Sequence, residues 1–259
     1  MIALEDVEVT AWAPDPDGGP DRVVRLLGPV SLRLDERRVA VVGANGSGKS
    51  TLARLLNGLV LPSAGRVSVD GLDTADDGAA VRRRVGFVFT DPDAQIVMPT
   101  PVEDVALSLR RTVPDARERT ARALDVLARF GLAERAHVPV HSLSGGQRQL
   151  LALAAVLATE PAVLVCDEPT TLLDLRWRTR VDDLLASLDQ QVVVVTHDLD
   201  AAARADRVLV VDGGAVAADG PPGSALARYR ELMTRPDAAG TATHHEARVG
   251  PVPAPEARA

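Results

Sequence analysis

The stretch VAVVGANGSGKSTL, residues 39–52, decides the fold of this chain. It contains the only lysine of the sequence, Lys49; every other basic side chain among the 29 Lys and Arg residues is an arginine. A compact ammonium on a flexible stem fits into a ring of backbone N–H groups, whereas a planar guanidinium does not. The spacing Gly43-x-x-x-x-Gly48-Lys49-Ser50 is that of a glycine-rich loop that holds phosphate groups. The stretch therefore predicts a phosphate-binding loop.

The sequence on either side of this loop supports that prediction. Four apolar residues precede Gly43 and indicate a buried strand, and leucines at helical spacing follow, so the free N–H groups of a helix start would face the phosphate. We expect Lys49 to bridge the β- and γ-phosphates of a nucleoside triphosphate and Ser50 to take one position on Mg²⁺. The residues expected to contact the phosphates are Asn45, Gly46, Ser47, Gly48, Lys49, Ser50 and Thr51. The competing interpretation is a glycine-rich turn without a ligand.

A second motif, AVLVCDEPT at residues 162–170, brings carboxylates to the end of another strand. Ligands gather at the carboxyl ends of strands in open α/β sheets. Asp167 is therefore expected to hold Mg²⁺, directly or through water, and Glu168 to orient or deprotonate a water that attacks the γ-phosphate. An acidic turn is common by itself; together with the phosphate loop this pair predicts a catalytic site.

Composition limits the function classes. The net charge of −7, the isoelectric point near 5.3 and the 2% aromatic content argue against a nucleic-acid surface. The basic run Arg82-Arg83-Arg84 is better explained as a solvated face. Cys166 lies in an apolar run without a disulfide partner, which fits a buried residue in a reducing compartment. No signal peptide or membrane-length apolar run is visible, so we expect a cytoplasmic protein.

Strand and helix patterns alternate along the chain and predict an α/β fold with a mostly parallel sheet. Strand-like sequence occupies the first forty residues, interrupted by a turn at residues 14–20. Helical spacing dominates residues 91–160 and indicates an inserted helical subdomain. We expect a folded domain over residues 1–232 and a disordered Ala/Pro-rich tail over residues 233–259. The pair His244-His245 in that tail has no further ligands and more often binds nothing.

A third motif makes a family recognisable. LSGGQRQ at residues 143–149 stands before a helix, with Ser144 as a good N-cap, but a cap alone does not explain Gly145, Gly146 and Gln147. The sequence resembles the ATP-binding subunits of ABC transporters, up to about residue 230. The resemblance implies a P-loop NTPase core with an N-terminal antiparallel β subdomain, and ATP and Mg²⁺ as ligands. It also implies a head-to-tail dimer in which the LSGGQ of one subunit closes over the nucleotide of the other.

The resemblance assigns further positions. Asp174, in TLLD, matches the acid of the loop that communicates across the dimer, and His197, after VVVVT, matches the histidine on the γ-phosphate. Trp12 stands where the family places an aromatic against adenine; a partly exposed hairpin tryptophan is the alternative. Thr90 departs from the family, which has a glutamine there that touches Mg²⁺ and the attacking water. Gln95, five residues on, is the candidate to cover part of that role.

The segment TDPDAQIVMPTPVEDVA, residues 90–106, resembles the energy-coupling-factor branch of importers for vitamins and transition-metal ions. That resemblance implies two membrane partners, a scaffold protein and a small substrate-binding protein, and a position on the inner face of the cell membrane. The biotin system is the first expectation for the cargo, with cobalt or nickel next. The ATPase dimer is expected to be a homodimer or a heterodimer with a related ATPase.

Other functions compete with transport. An ABC ATPase acting on DNA would carry a long coiled coil, and one acting on ribosomes usually carries two cassettes; this chain has neither. An ATP-dependent dimerisation switch with little turnover is a further alternative, with Thr90 as its cause.

Overall fold

The computed structural model describes residues 1–15 and 19–234. The centre of the turn predicted at residues 14–20, and all but the first two residues of the predicted tail, lie outside the described residues, as does His244-His245. Residue 233, assigned to the tail from sequence, is the last residue of a helix.

Within these described residues, ten strands form two sheets. They are β1 (Ile2–Ala13), β2 (Arg22–Leu34), β3 (Arg38–Val42), β4 (Ala64–Val69), β5 (Leu72–Asp73), β6 (Val85–Val88), β7 (Val163–Asp167), β8 (Gln191–Val195), β9 (Arg207–Asp212) and β10 (Ala215–Gly220). The first sheet has the order β2-β1-β4-β5 and is antiparallel. The second has the order β10-β9-β3-β8-β7-β6, and all its pairs are parallel except β9 with β10. Both sheets have the character expected from the sequence.

The helices surround the parallel sheet and form the insert. They are α1 (Lys49–Leu55), α2 (Gly78–Arg84), α3 (Pro101–Ser108), α4 (Ala116–Arg129), α5 (Gly145–Leu157), α6 (Leu175–Ser187), α7 (Leu199–Ala202) and α8 (Pro222–Met233). Three of them, α3 to α5, lie between β6 and β7, where the helical insert was expected. The sequence patterns did not predict α2, whose last turn is the exposed arginine run, or the helices α7 and α8.

The insert packs directly on the sheet. Leu150, Leu151 and Leu153 of α5 share one buried cluster with Leu164 and Cys166 of β7. Every residue of β7 is buried because helices cover both faces of the sheet. Cys166 is fully buried, as expected, and this burial raises the pKa of its thiol, with the neighbouring Asp167 adding to the effect. The position of α5, and of the loop that starts it, is therefore fixed by the core.

The register of the central strands places their carboxyl ends together. Val41 of β3 and Asp167 of β7 both pair with Val195 of β8. The loops that leave these three strands consequently start at one edge of the sheet. They carry the phosphate loop, Glu168 and His197.

Candidate active site

The phosphate loop connects β3 to α1 by a path that requires glycine. A Cβ added at Gly43 would lie 2.0 Å from the Val211 carbonyl oxygen, and one at Gly48 would lie 2.7 Å from that of Leu26. Gly48 also has a φ of +105°, in the region that favours glycine. No side chain caps the start of α1. The loop thus leaves its helix-start N–H groups without an acceptor from a capping side chain.

Lys49 points into this loop. Its Nζ donates to the Ala44 carbonyl at 2.8 Å, and only 7% of the residue is exposed. Burial lowers the pKa of Lys49, while the nearby Glu168 and Asp167 carboxylates partly oppose that shift. The hydroxyl of Ser47 in the same loop is buried and has no hydrogen-bond partner within the described chain. Both groups would be satisfied by an anionic oxygen.

Asp167 and Ser50 meet as predicted. The Ser50 Oγ donates to Asp167 Oδ1 at 3.0 Å. Asp167 is 2% exposed, and burial raises the pKa of its carboxyl against the lowering effects of the Ser50 hydrogen bond and of Arg54, whose guanidinium lies 3.9 Å away. Sequence reasoning missed Arg54, although its position one helical turn after Ser50 could have indicated a shared face.

The Ser50–Asp167 pair has the chemistry of a Mg²⁺ site. Hydroxyl and carboxylate oxygens suit this hard cation, which commonly keeps several waters and takes other ligands from substrate phosphates. Among residues 1–15 and 19–234, no group of three or more His, Cys, Asp or Glu side chains is arranged around a metal position. The two protein oxygens therefore fit a metal that arrives with a phosphate ligand rather than one held by the protein alone.

Glu168 is held in a strained and specific position. Its φ of +52° places a non-glycine residue in the left-handed region, at a cost of about 1–3 kcal/mol. Its Oε2 accepts a hydrogen bond from Thr171 Oγ1 at 2.9 Å and lies 2.7 Å from His197 Nδ1. His197 itself is exposed over 55% of its side chain. The structure thus brings together the two residues assigned to water and to the γ-phosphate. It also shows that Thr171, the first residue of the TLLD loop, donates to Glu168, a contact that the sequence did not predict.

Thr90 and Gln95 have different environments. Thr90 Oγ1 donates to the Asp167 carbonyl oxygen at 2.8 Å, so this residue adjoins the carboxylate site. The Gln95 amide instead accepts from Phe89 N at 3.2 Å and donates to the Phe87 carbonyl at 3.3 Å. Gln95 would have to release the end of β6 before its amide could approach a metal. Its metal-binding role stays a prediction.

The LSGGQ loop forms an exposed helix start. Ser144 Oγ accepts from Gln147 N at 3.3 Å, and Gln147 Oε1 accepts from Ser144 N at 2.8 Å, a reciprocal capping box. A Cβ added at Gly145 would meet nothing within 4 Å. In the described part of the chain, no hydrogen bond or ion pair joins this loop to Lys49, Asp167 or Glu168. Its open side is therefore available to another molecule.

The remaining predicted positions are exposed. Asp174 caps α6, accepting from Trp177 N at 3.0 Å, which gives this loop acid a structural role not foreseen from sequence. Leu172 and Leu175 beside it are 68% and 75% exposed. Trp12 is 70% exposed and pairs across β1 and β2 with Val23, which is also exposed. The indole face is thus free to stack on a ring.

A groove of about 560 Å³ lies between the loop after β6 and the segment before α5. It is lined by Asp93, Ile96, Val97, Met98, Pro99, Val140, His141 and Arg148. The buried carboxylate of Asp104 accepts from Val97 N and Met98 N at 2.9 and 3.0 Å and so fixes one wall. Arg148 lies 2.9 Å from Asp93 and donates to the Leu143 carbonyl at 2.7 Å, which ties the other wall to the LSGGQ loop.

Within the described ranges, no helix has the length and apolar character needed to cross a membrane.

Comparison with known proteins identifies close relatives. A family described as "ABC transporter" matches residues 27–171. The biotin transport ATP-binding protein BioM of Rhizobium etli is 47% identical over 80% of this chain and 92% of its own. The energy-coupling factor transporter ATP-binding protein EcfA1 of Symbiobacterium thermophilum is 43% identical over 97% and 91%, respectively. The nickel import ATP-binding protein NikO of Rhodobacter capsulatus is 43% identical over 80% and 88%.

Solved structures agree with the architecture. The ATP-binding cassette MJ0796, solved as a dimer in a post-hydrolysis state bound to ADP and Pi, has a TM-score of 0.75 and 32% identity, covering 86% of this chain and 99% of that one. CbiO1 of Clostridium perfringens, part of the ABC transporter complex cbiONQ, has a TM-score of 0.73 and 29% identity, covering 90% and 92%. The fold class and the family resemblance predicted from the sequence are confirmed.

Replacing Asp167 by Asn should raise the melting temperature of the nucleotide-free protein. Because the folded-state pKa of Asp167 lies above its ordinary value, the ionised carboxylate opposes folding at neutral pH, and the wild type should gain stability as the pH falls toward that pKa. Asp73→Asn is the matched control. Burial raises the pKa of Asp73, but the hydrogen bonds from the Ala75 and Asp76 amides and from Arg66, with the charge of Arg66, together lower it below its ordinary value. Its carboxylate therefore contributes stability that is lost as the pH falls.

The measurement is thermal unfolding of both variants and the wild type between pH 4 and pH 8. A lower melting temperature for Asp167→Asn at pH 7, similar to that of Asp73→Asn, would contradict this account of the buried carboxylate.

Proposed function

The chain belongs to the ABC transporter family of ATP-binding proteins, and on this basis we propose that it drives an energy-coupling-factor importer. As a member of that family it is an ATPase, which converts ATP and water to ADP and phosphate and couples this reaction to transport. The observation that carries the proposal is the convergence of Lys49, the Ser50–Asp167 pair and the Glu168–His197 pair at one sheet edge.

Each of these side chains has a role in the proposed reaction. The amides of residues 46–50 hold the β-phosphate, and Lys49 neutralises charge between the β- and γ-phosphates. Glu168 orients the attacking water and accepts its proton, while His197 contacts the γ-phosphate. Ser50 and Asp167 would hold Mg²⁺, which when bound neutralises charge that develops on the phosphates. Trp12 stacks on the adenine ring.

The complete site is proposed to need two subunits. A Cβ at Gly145 would meet nothing within 4 Å, so this side of the LSGGQ loop is open, and the free N–H groups at the start of α5 suit a γ-phosphate presented by a partner. Exposed Leu172 and Leu175, around Asp174, would be buried in the same dimer. Because one chain carries both halves of the site, a homodimer is sufficient; a heterodimer with a related ATPase would use the same surfaces.

The groove lined by Ile96 and Val97 is proposed to receive short helices of a membrane-embedded scaffold protein. Docking there would hold the ATPase on the inner face of the cell membrane. It would also connect dimer closure to a small substrate-binding membrane protein, since Arg148 joins the groove to the LSGGQ loop. The folded unit is proposed to extend to the end of α8 at Met233, one residue beyond the boundary expected from the sequence, with residues 91–160 as the inserted subdomain and the remainder as a tail.

Biotin is the proposed cargo, with a transition-metal ion second. The proposal is supported by the higher identity to a biotin transport protein, 47%, than to a nickel import protein, 43%.

Replacing Glu168 by Gln should trap an ATP-bound dimer and lower phosphate release by at least about 10²-fold, because a positioned general base contributes on the order of 10²–10⁴. Size-exclusion chromatography with light scattering, with and without ATP and Mg²⁺, measures the dimer. A Lys49→Ala/Glu168→Gln double variant should stay monomeric and serves as control. Wild-type hydrolysis by Glu168→Gln would remove the role given to this residue.

Replacing Thr90 by Gln should leave nucleotide binding intact and raise turnover by about 10-fold, because a longer amide can approach the water and the metal that Thr90 cannot reach. Phosphate release over a range of Mg²⁺ concentrations measures the effect. Thr90→Val separates loss of the hydroxyl from gain of the amide. Unchanged hydrolysis and Mg²⁺ dependence in Thr90→Gln would count against this interpretation.

Cells that produce this chain with its scaffold and substrate-binding proteins should accumulate labelled biotin, and the Glu168→Gln variant in the same assembly should abolish uptake. Cobalt and nickel uptake, measured in parallel, tests the second cargo. Accumulation of metal without biotin would reverse the order of the two cargoes, and accumulation of neither would exclude both.

A further inference from the structure

The two glycines of the LSGGQ loop have different surroundings. A Cβ at Gly145 would enter open space, whereas one at Gly146 would lie 2.3 Å from both Cγ and Cδ2 of Trp177. The indole of Trp177 therefore lies directly against the Gly146 backbone, and Gly146 is buried. The need for glycine at position 146 comes from a side chain of the same subunit.

Trp177 is also fixed to the Asp174 loop. It is the third residue of α6, and its backbone N–H donates to the capping carboxylate of Asp174 at 3.0 Å. Trp177 therefore contacts both motifs: its backbone N–H bonds the capping Asp174, and its ring packs against Gly146 of the LSGGQ loop. Both motifs are on the surface that a second subunit is proposed to meet.

Arg180 holds the ring from one turn further along α6. Its guanidinium carbon lies 5.3 Å from the Trp177 ring centroid, within the range of a cation–π contact. The same guanidinium donates to the Phe130 carbonyl at 3.0 Å, at the end of α4. These contacts leave the indole little freedom to move away from Gly146.

We propose that Trp177 is a positioning residue for the composite ATP site: through Gly146 it sets the direction of the free N–H groups at the start of α5, and through its amide it ties them to Asp174. The two motifs then move as one unit when a second subunit closes. This inference rests on the proposed ATP-dependent dimer. It predicts that Trp177 affects closure and hydrolysis but not the binding of ATP to the subunit's own phosphate loop.

The first test is Trp177→Ala, with Trp177→Phe as the conservative variant. Trp177→Ala should bind ATP with wild-type affinity, yet hydrolyse it on the order of 10²-fold more slowly, the scale of an error of about 1 Å in a catalytic geometry. In the Glu168→Gln background it should fail to dimerise with ATP. Trp177→Phe should recover much of both activities, since it keeps an aromatic ring beside Gly146.

The second test is a double-mutant cycle. Gly146→Ala should be harmful when Trp177 is present, because the new methyl group and the ring occupy the same space, and should add no further loss in the Trp177→Ala background. Gly145→Ala is the matched control: its methyl group does not meet the ring, so its loss should multiply with that of Trp177→Ala.

Several outcomes would overturn the inference. They are multiplicative losses for Gly146→Ala and Trp177→Ala, normal ATP-dependent dimerisation of the Trp177→Ala/Glu168→Gln variant, or loss of ATP affinity together with the melting temperature in Trp177→Ala. Failure of Glu168→Gln alone to bind ATP and dimerise would instead contradict the proposed function on which the inference rests.

Discussion

The site depends on one constraint: two groups of opposite charge are buried at the sheet edge where the carboxyl ends of β3, β7 and β8 meet. Lys49 and Asp167 are almost fully removed from water, and for each the environment shifts the pKa toward the neutral form. A fold optimised for stability alone would not keep two such groups beside an uncapped helix start. The parallel register of β3, β7 and β8 holds them there. In the proposed reaction, a triphosphate and a divalent cation would supply an opposite charge to each of the two groups. The arrangement lowers the stability of the ligand-free protein but favours binding of the nucleotide.

In the proposed importer, nucleotide binding and docking of the membrane partner use separate parts of this chain. The residues around Lys49 recognise a nucleotide, whereas the groove beside Ile96 offers an apolar surface with a fixed wall and a single ion pair. Arg148 reaches from that ion pair to the carbonyl of Leu143, at the entry to the LSGGQ loop. A membrane partner in the groove and a second ATPase at the loop would therefore act on two sides of the same arginine. In the proposed importer, the transported molecule would bind a membrane partner and not this chain.

Local motifs explain how much of the site could be predicted from sequence. Asp167 and Glu168 lie at the end of one apolar strand, and Lys49 and Ser50 begin the helix after the glycine-rich loop that follows another. Because the carboxyl ends of parallel strands lie at the same edge of the sheet, these local patterns are enough to predict that the four residues come together. Gln95 shows the limit, because closeness in sequence to Thr90 suggested a metal ligand while its amide bonds the backbone of β6. The contact between Trp177 and Gly146 could not be predicted either, because it joins residues that are far apart in the chain and no local sequence pattern indicates it. The strain at Glu168 likewise depends on the strand it leaves.

The solitary lysine has a practical consequence. A protease that cleaves only after lysine has one target bond in the entire sequence, and that bond lies at the start of α1, where the side chain is withdrawn into the loop. Cutting there requires the loop to open, because a protease needs several residues of extended backbone. Digestion by such an enzyme thus yields two fragments of defined mass, at a rate set by how often the phosphate loop opens. A ligand that holds the phosphate loop closed would slow the appearance of these fragments. The rate of cleavage after Lys49 would therefore report how much of the protein has ligand bound at the loop.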